Sequence, residues 1–259
     1  MRAMMTFALG VLLTAGAAAA PCEKPDPVSR VTGDRECLVV RTYPEPAPAT
    51  AKVLLVVLHG DVSSGGPANY HFALAQKLAT DGVVTVAMIR PGYADGAGGE
   101  SSGSHNGRND HYTKENALEV AGAVARLKAH YQAGKVILVG HSGGAATAAL
   151  VLGLQPALAT GTVLVACPCE LVSWRSGRRA WTRSENPLDW AGKVSPAVRV
   201  IALTGARDDN TSPMLAQTYI NALAGRGVNA VFETVPDAGH NDAFRSPLVG
   251  VAVDKLLKD

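Results

Sequence analysis

Two stretches of this 259-residue chain have the form Gly-x-Ser-x-Gly: Gly99-Glu100-Ser101-Ser102-Gly103 and Gly140-His141-Ser142-Gly143-Gly144. With 27 glycines present, the pattern alone is weak, and its context has to decide. The first stretch lies inside a glycine-rich loop, with no strand just before it and no helix just after. The second follows the apolar run Val136–Val139 and leads into a helical stretch from Ala145. A strand that turns sharply into a helix holds a serine in a strained backbone at the sheet edge, near the positive end of the helix. Only small flanking residues fit there, and Gly140, Gly143 and Gly144 meet that need. Ser142 is therefore the candidate nucleophile. A serine hydroxyl is a weak nucleophile and needs a base. Of the seven histidines only His240 follows Ser142, in Asp237-Ala238-Gly239-His240-Asn241.

The base needs a carboxylate to orient it. The acids between Ser142 and His240 are Glu170, Glu185, Asp189, Asp208, Asp209, Glu233 and Asp237. Asp208 falls just past an apolar run, at a strand's carboxyl end, and Asp209 is the runner-up. The bland alternative for Asp208 is an Asx turn ahead of Asn210 and Pro213. An acyl-transfer site also needs backbone donors for the developing oxyanion. The Gly143 N–H, next after the nucleophile, is one candidate. The second is the Asp61 N–H, with Val62 as the alternative, in the turn His59-Gly60-Asp61 that follows Val53–Leu58. His59 is expected to brace that turn rather than to move protons.

The elements that must hold these residues follow from periodicity. Val53–Leu58, Val83–Ile89, Val136–Val139, Thr162–Ala166, Val198–Leu203 and Ala230–Val235 read as strands. Ala68–Ala79, Thr113–Tyr131, Ala145–Leu154, Met214–Leu223 and Val249–Leu257 read as helices. Apolar runs without alternation fit strands buried on both faces. The alternation of β and α predicts an α/β fold with a mostly parallel central sheet and helices on both faces, its sites at the carboxyl edge. Residues 168–196 break the rhythm. They hold all three tryptophans, Trp174, Trp181 and Trp190, among Arg175, Arg178, Arg179 and Arg183. Trp174 and Trp181 are candidate substrate-wall residues. The alternative is that the tryptophans anchor the insertion and the arginines are solvated.

Composition narrows the partners. The net charge is +2 and aromatics make up 5%, which argues against a nucleic-acid binder or a polybasic membrane-surface protein. Arg2 followed by the apolar stretch Phe7–Ala20 reads as a signal peptide over residues 1–20, too short for a membrane anchor. The mature domain is then 21–259, with an insertion at about 168–196. Export permits disulfides, and Cys22 with Cys37 would close a loop worth about 3 kcal/mol. Cys167 and Cys169 either bond to each other or remain buried thiols. His105, Asp110 and His111 lack ligand spacing, so no metal is expected, and no cofactor. Arg90 and Arg108 are expected to pair with Asp95, Glu100 or Asp110 rather than to bind a substrate carboxylate.

Together, His59-Gly60 after the first strong strand, Gly140-His141-Ser142-Gly143-Gly144, Asp208 after a late strand and Gly239-His240 resemble the α/β-hydrolase superfamily in its order Ser, acid, His. The resemblance spans about residues 38–258 and is greatest to small bacterial serine hydrolases near the prolyl-oligopeptidase and dienelactone-hydrolase branches. It implies an eight-stranded core with a variable lid between the fourth and fifth strands counted above. Histidine at the second elbow position is similar to many esterases and lipases. The chain has no room for the propeller that prolyl-oligopeptidase relatives usually carry. The expected activity is that of an exported serine hydrolase acting on a carboxylic ester through an acyl-enzyme. A serine peptidase acting on small peptides is the alternative, and a non-catalytic binding protein on the same fold a second one. A small-molecule ester or peptide is the expected partner. Neither nucleic acid nor a stable membrane anchor is expected, and the oligomeric state stays open.

Overall fold

The six consecutive apolar residues Val53–Leu58 form a strand and show no alternation, because both of its faces are covered. The computed structural model describes residues 22–258, so the expected signal peptide at residues 1–20 lies outside the described residues. The strands are β1 (Arg30–Thr32), β2 (Cys37–Tyr43), β3 (Val53–Leu58), β4 (Val83–Met88), β5 (Lys135–His141), β6 (Gly161–Val165), β7 (Arg199–Gly205) and β8 (Asn229–Val235). They form one sheet in the order β1-β2-β4-β3-β5-β6-β7-β8. β2 runs antiparallel to its neighbours β1 and β4, and β3 through β8 are parallel to one another. The sheet is open, not closed into a barrel.

The helices are α1 (Phe72–Leu78), α2 (Lys114–His130), α3 (Gly143–Leu154), α4 (Leu171–Trp174), α5 (Pro187–Trp190), α6 (Pro213–Ala224), α7 (His240–Arg245) and α8 (Pro247–Leu257). Side-chain parity along each strand assigns the layers. Leu54, Val56 and Leu58 of β3 join one core with Val120 and Val124 of α2, Ala148 of α3 and Tyr219 of α6. Val53, Leu55 and Val57 join the other core, with Ala75 of α1, Phe244 of α7 and Val253 of α8. Register fixes the working edge. Leu58 pairs with Gly140 and His141 with Val165, so the β3 turn, the β5 elbow and the β6 exit lie side by side.

The six strands read from sequence are present, and β1 and β2 complete the eight. The helix expected over Ala68–Ala79 is the shorter α1. His240, expected in a loop, is the first residue of α7. Cys22 and Cys37 are disulfide-bonded. So are Cys167 and Cys169, which resolves the two readings of that pair. Among the described residues no helix is long and apolar enough to cross a membrane.

Candidate active site

The elbow is built by close approach. A Cβ on Gly140 would lie 2.6 Å from Ala145 Cα, and one on Gly144 would lie 2.5 Å from the Leu58 and His59 carbonyl oxygens. Glycine is therefore required for β5 to turn into α3 against β3. Ser142 sits in the turn at φ 53° and ψ −121°, a conformation that costs about 1–3 kcal/mol for a residue with a side chain. It is held there by its N–H, which donates to the Val165 carbonyl at 2.8 Å.

Three distant segments meet at this serine. His240 Nε2 lies 3.0 Å from Ser142 Oγ, and His240 Nδ1 lies 2.9 Å from Asp208 Oδ2. The Asp208 side chain is fully buried. Its Oδ1 accepts the N–H groups of Asn210 and Thr211, and Thr211 Oγ1 donates to Oδ2 at 2.8 Å. The Asx turn and the imidazole contact thus coexist on one carboxylate. Burial raises its pKa, but the bond and charge of His240 and the bonds from Thr211 outweigh that, and the net shift is downward. Asp209 is exposed. Asp208→Asn is therefore expected to lower kcat by about 10⁴-fold, as loss of an orienting carboxylate does. Asp209→Asn should stay within a few-fold of wild type. Ester-hydrolysis rates of the two purified variants check the pair, and the reverse order would reassign the acid.

A second chain of hydrogen bonds ties the elbow to His240. The Gly60 N–H donates to Tyr70 Oη at 2.6 Å, and that hydroxyl donates to His141 Nδ1 at 2.6 Å. His141 Nε2–H then faces the His240 carbonyl at 3.3 Å. This works with a neutral ring, and burial, followed by the nearby His240, pushes the His141 pKa down to about 3. Burial does the same to His71, also to about 3. A histidine whose folded-state pKa is depressed leaves stability whole above the unfolded value near 6.5. Stability is then lost as pH falls, because the unfolded chain takes the proton first. Each ring contributes up to about 1.4 kcal/mol per pH unit, so the pair should remove about 3 kcal/mol between pH 7.5 and 5.5. Urea unfolding at those two values measures it; a flat profile would mean that the rings are solvated.

The turn after β3 carries a buried ion pair. Asp61 Oδ1 meets Arg90 Nη2 at 2.7 Å, with both side chains almost wholly buried. Tyr112 Oη donates to Asp61 Oδ2 at 2.5 Å, and His111 Nε2 lies 3.3 Å from Oδ1. Burial raises the Asp61 pKa. The His111 bond, the Arg90 charge and the Tyr112 bond overcome it and hold the carboxyl well below the usual range. Tyr93 Oη donates to the Asp61 carbonyl at 2.9 Å, and Val62 takes a positive φ of 47°. The carboxylate abuts Gly143, since a Cβ there would collide with Oδ1. A bare carboxylate beside an oxyanion site would repel the charge that develops there, and Arg90 cancels it. Gly143 is the first residue of α3, so its N–H has no intrahelical acceptor.

The expected partners of the two arginines need correction. Arg90, two residues beyond β4, points across β3 to Asp61. Arg108 donates to the carbonyls of Val62 and Gly66. Asp95 is spent on the N–H groups of Ala97 and Gly99, and Asp110 on those of Thr182, Arg183 and Ser184. Loop N–H groups take these acids because a short carboxylate reaches nearby backbone at less entropic cost than it reaches a long side chain. His59 braces its turn, with Nδ1 2.7 Å from the Gly60 carbonyl and Nε2 accepting the Arg90 N–H. Ser101 joins β2 to the end of β4 by accepting from Val39 N and donating to the Ile89 carbonyl. His105 accepts the Arg108 N–H.

Ser142 and His240 open on a cleft of about 730 Å³ whose lining includes Asp61, Val62, Trp174 and Trp181. Trp174 also anchors, its Nε1 donating to the Asn210 carbonyl at 2.9 Å. Trp190 is outside the cleft, packed on Gly153 of α3 and bonded to Glu185. Arg90, Tyr70, Tyr112 and Thr211 carry the site's second layer, and sequence reading missed those roles; no motif marks a tyrosine whose partner is far along the chain.

Among proteins of curated function, none matches the chain by sequence. Solved structures match its fold. Est1E from Butyrivibrio proteoclasticus, solved with ferulic acid bound, superposes with a TM-score of 0.69 at 16% identity, over 88% of this chain and 98% of that one. An esterase of Pyrococcus furiosus does so at 0.64 and 18% identity, over 88% of each chain. The acylaminoacyl peptidase of Pyrococcus horikoshii gives 0.65 at 15% identity, over 84% of this chain but 38% of its own. The model of the alpha/beta hydrolase family matches residues 55–189, which is more than half of the sequence. The chain belongs to the alpha/beta hydrolase family.

Proposed function

We propose that this protein is an exported serine hydrolase that cleaves a carboxylic ester through an acyl-enzyme. The observation that carries the reading is the unbroken contact from Ser142 Oγ through His240 to Asp208, at 3.0 and 2.9 Å, opening on the cleft. Ser142 Oγ attacks the ester carbonyl carbon as His240 Nε2 takes its proton, and the carbonyl oxygen becomes an oxyanion. The N–H groups of Gly143 and Asp61 donate to that oxygen. His240 passes the proton to the leaving alkoxide, and the C–O bond breaks. Water then attacks the acyl carbon, giving its proton to His240, which returns it to Ser142 as the acid departs. Asp208 holds the ring with Nδ1 protonated and offsets its transient charge without itself taking the proton. Every proton has a stated place, and these steps need no group beyond the chain and water.

The reading rests on geometry together with family membership, and the esterase and peptidase neighbours support hydrolysis in general. Two disulfides fit an oxidising compartment. The peptidase alternative uses the same machinery on amides. The test is a fluorophosphonate probe on wild type and on Ser142→Ala, followed by matched nitrophenyl esters and aminoacyl nitroanilides. Labelling that requires Ser142, with esters far faster than anilides, supports the proposal. Anilides as the better substrates would turn it toward a peptidase. Absence of labelling would favour the binding protein.

A further inference from the structure

The cleft is lined by four arginines, Arg108, Arg175, Arg178 and Arg245, against one carboxylate, Asp61. That carboxylate is already neutralised by Arg90 inside the fold. Three of the four have no carboxylate within ion-pair distance among the described residues. Arg108 spends its two terminal nitrogens on backbone carbonyls. Arg175 donates Nε and Nη2 to the Arg179 carbonyl. Its guanidinium centre lies 5.3 Å from the Trp174 ring and 5.1 Å from the Trp181 ring. The carboxylate whose field reaches Arg175, Asp110, is bound to three N–H groups, and Arg178 repels Arg175. Arg245 alone has an acid beside it, Asp242 at 3.7 Å, on an exposed surface. The guanidinium of Arg178 is exposed at the rim and makes no hydrogen bond or ion pair among the described residues. Like charges gathered in one concave site cost stability, and an anion seated between them repays it.

We infer that the cleft selects esters that carry a second, anionic group, a carboxylate bonded by Arg178 and attracted by the charge of Arg175, with the Trp174 and Trp181 shelf against the part between that anion and the ester carbonyl. This rests on the ester-hydrolase reading above and names its substrate class. Arginine fits the task because its planar fork binds a carboxylate in two places and keeps its charge at any working pH.

Two matched pairs test it and distinguish the end of the ester that bears the charge. 4-Nitrophenyl monoadipate against 4-nitrophenyl hexanoate places the anion on the acyl side. 4-Acetoxybenzoate against 4-acetoxybenzamide places it on the leaving group. Each rate is normalised to hydroxide hydrolysis. In at least one pair the anionic member should be favoured in kcat/KM by about tenfold or more at low salt, with the preference shrinking as salt rises. Arg178→Glu should lower that ratio by about tenfold, and Arg178→Lys, which keeps the charge but loses the fork, should give a ratio between the two. Protection of Ser142 from the fluorophosphonate by adipate, but not by hexanamide, reads the same acyl-side selectivity without turnover. Ratios near one in both pairs, or a ratio that survives Arg178→Glu, would overturn this inference and leave the ester reading intact. Loss of labelling and of all ester turnover in the wild type would overturn the reading beneath it.

Discussion

Alanine at Ser142 or at His240 is expected to lower kcat by about 10⁶-fold, and the double variant should be hardly slower than either one. The two residues act as one unit. Without the hydroxyl the ring has no proton to take, and without the ring the hydroxyl remains a weak nucleophile. What persists is the catalysis of the oxyanion donors and of substrate binding, on the order of 10³–10⁴ over water. Folding should survive. Ser142 pays a backbone cost at φ 53°, and an alanine there pays a similar one while losing a single side-chain contact. The measurement is kcat on a nitrophenyl ester alongside the thermal unfolding midpoint of each variant. Full activity in either single variant, with folding unchanged, would remove the mechanism.

Arg90→Met is expected to destabilise the fold by about 3–5 kcal/mol, because it strands the Asp61 carboxylate without its cation in a buried site. For a chain of this size that is roughly a 10 °C fall in the midpoint. The double variant Asp61→Asn with Arg90→Met should recover part of the loss, since no charge then stays unpaired. A double-mutant cycle from urea unfolding gives the coupling. The same single variant should cut kcat more than it raises KM, because a carboxylate freed beside Gly143 opposes the oxyanion, which exists only in the transition state. An Arg90→Met protein as stable as wild type would show that the carboxylate is neutralised in some other way.

The convergence of Ser142, His240 and Asp208 was readable because these residues obey local rules. Gly140 and Gly144 mark a close approach that nothing larger allows, and Asp208 and His240 lie just beyond apolar runs. The parallel centre of the sheet was readable for the same reason: strands buried on both faces lose alternation. β1 and β2 escaped the periodic reading because β1 is only three residues long and β2 mixes buried and exposed positions at the antiparallel side of the sheet. The partners of Arg90 and Arg108 differ from the expected acids because sheet pairing and loop folding, not sequence distance, set them. Arg90 reaches Asp61 through the pairing of β4 with β3, across 29 positions of sequence. The bond between Cys167 and Cys169 stayed open for a different reason: at that spacing, backbone geometry decides, and composition does not encode it.

Asp110 grips three successive amides of residues 182–184, just beyond Trp181. That clasp makes the mouth of the cleft a fixed doorway rather than a swinging one. Trp181 is thereby mounted next to this clasp, while Trp174 is tied by its Nε1 to the Asn210 carbonyl beside Asp208. Diet and chemistry are separable on the Trp181 side of the cleft wall, where exchanging side chains would retune what is admitted, whereas Trp174 is bonded to the loop that holds Asp208 and is not free to change.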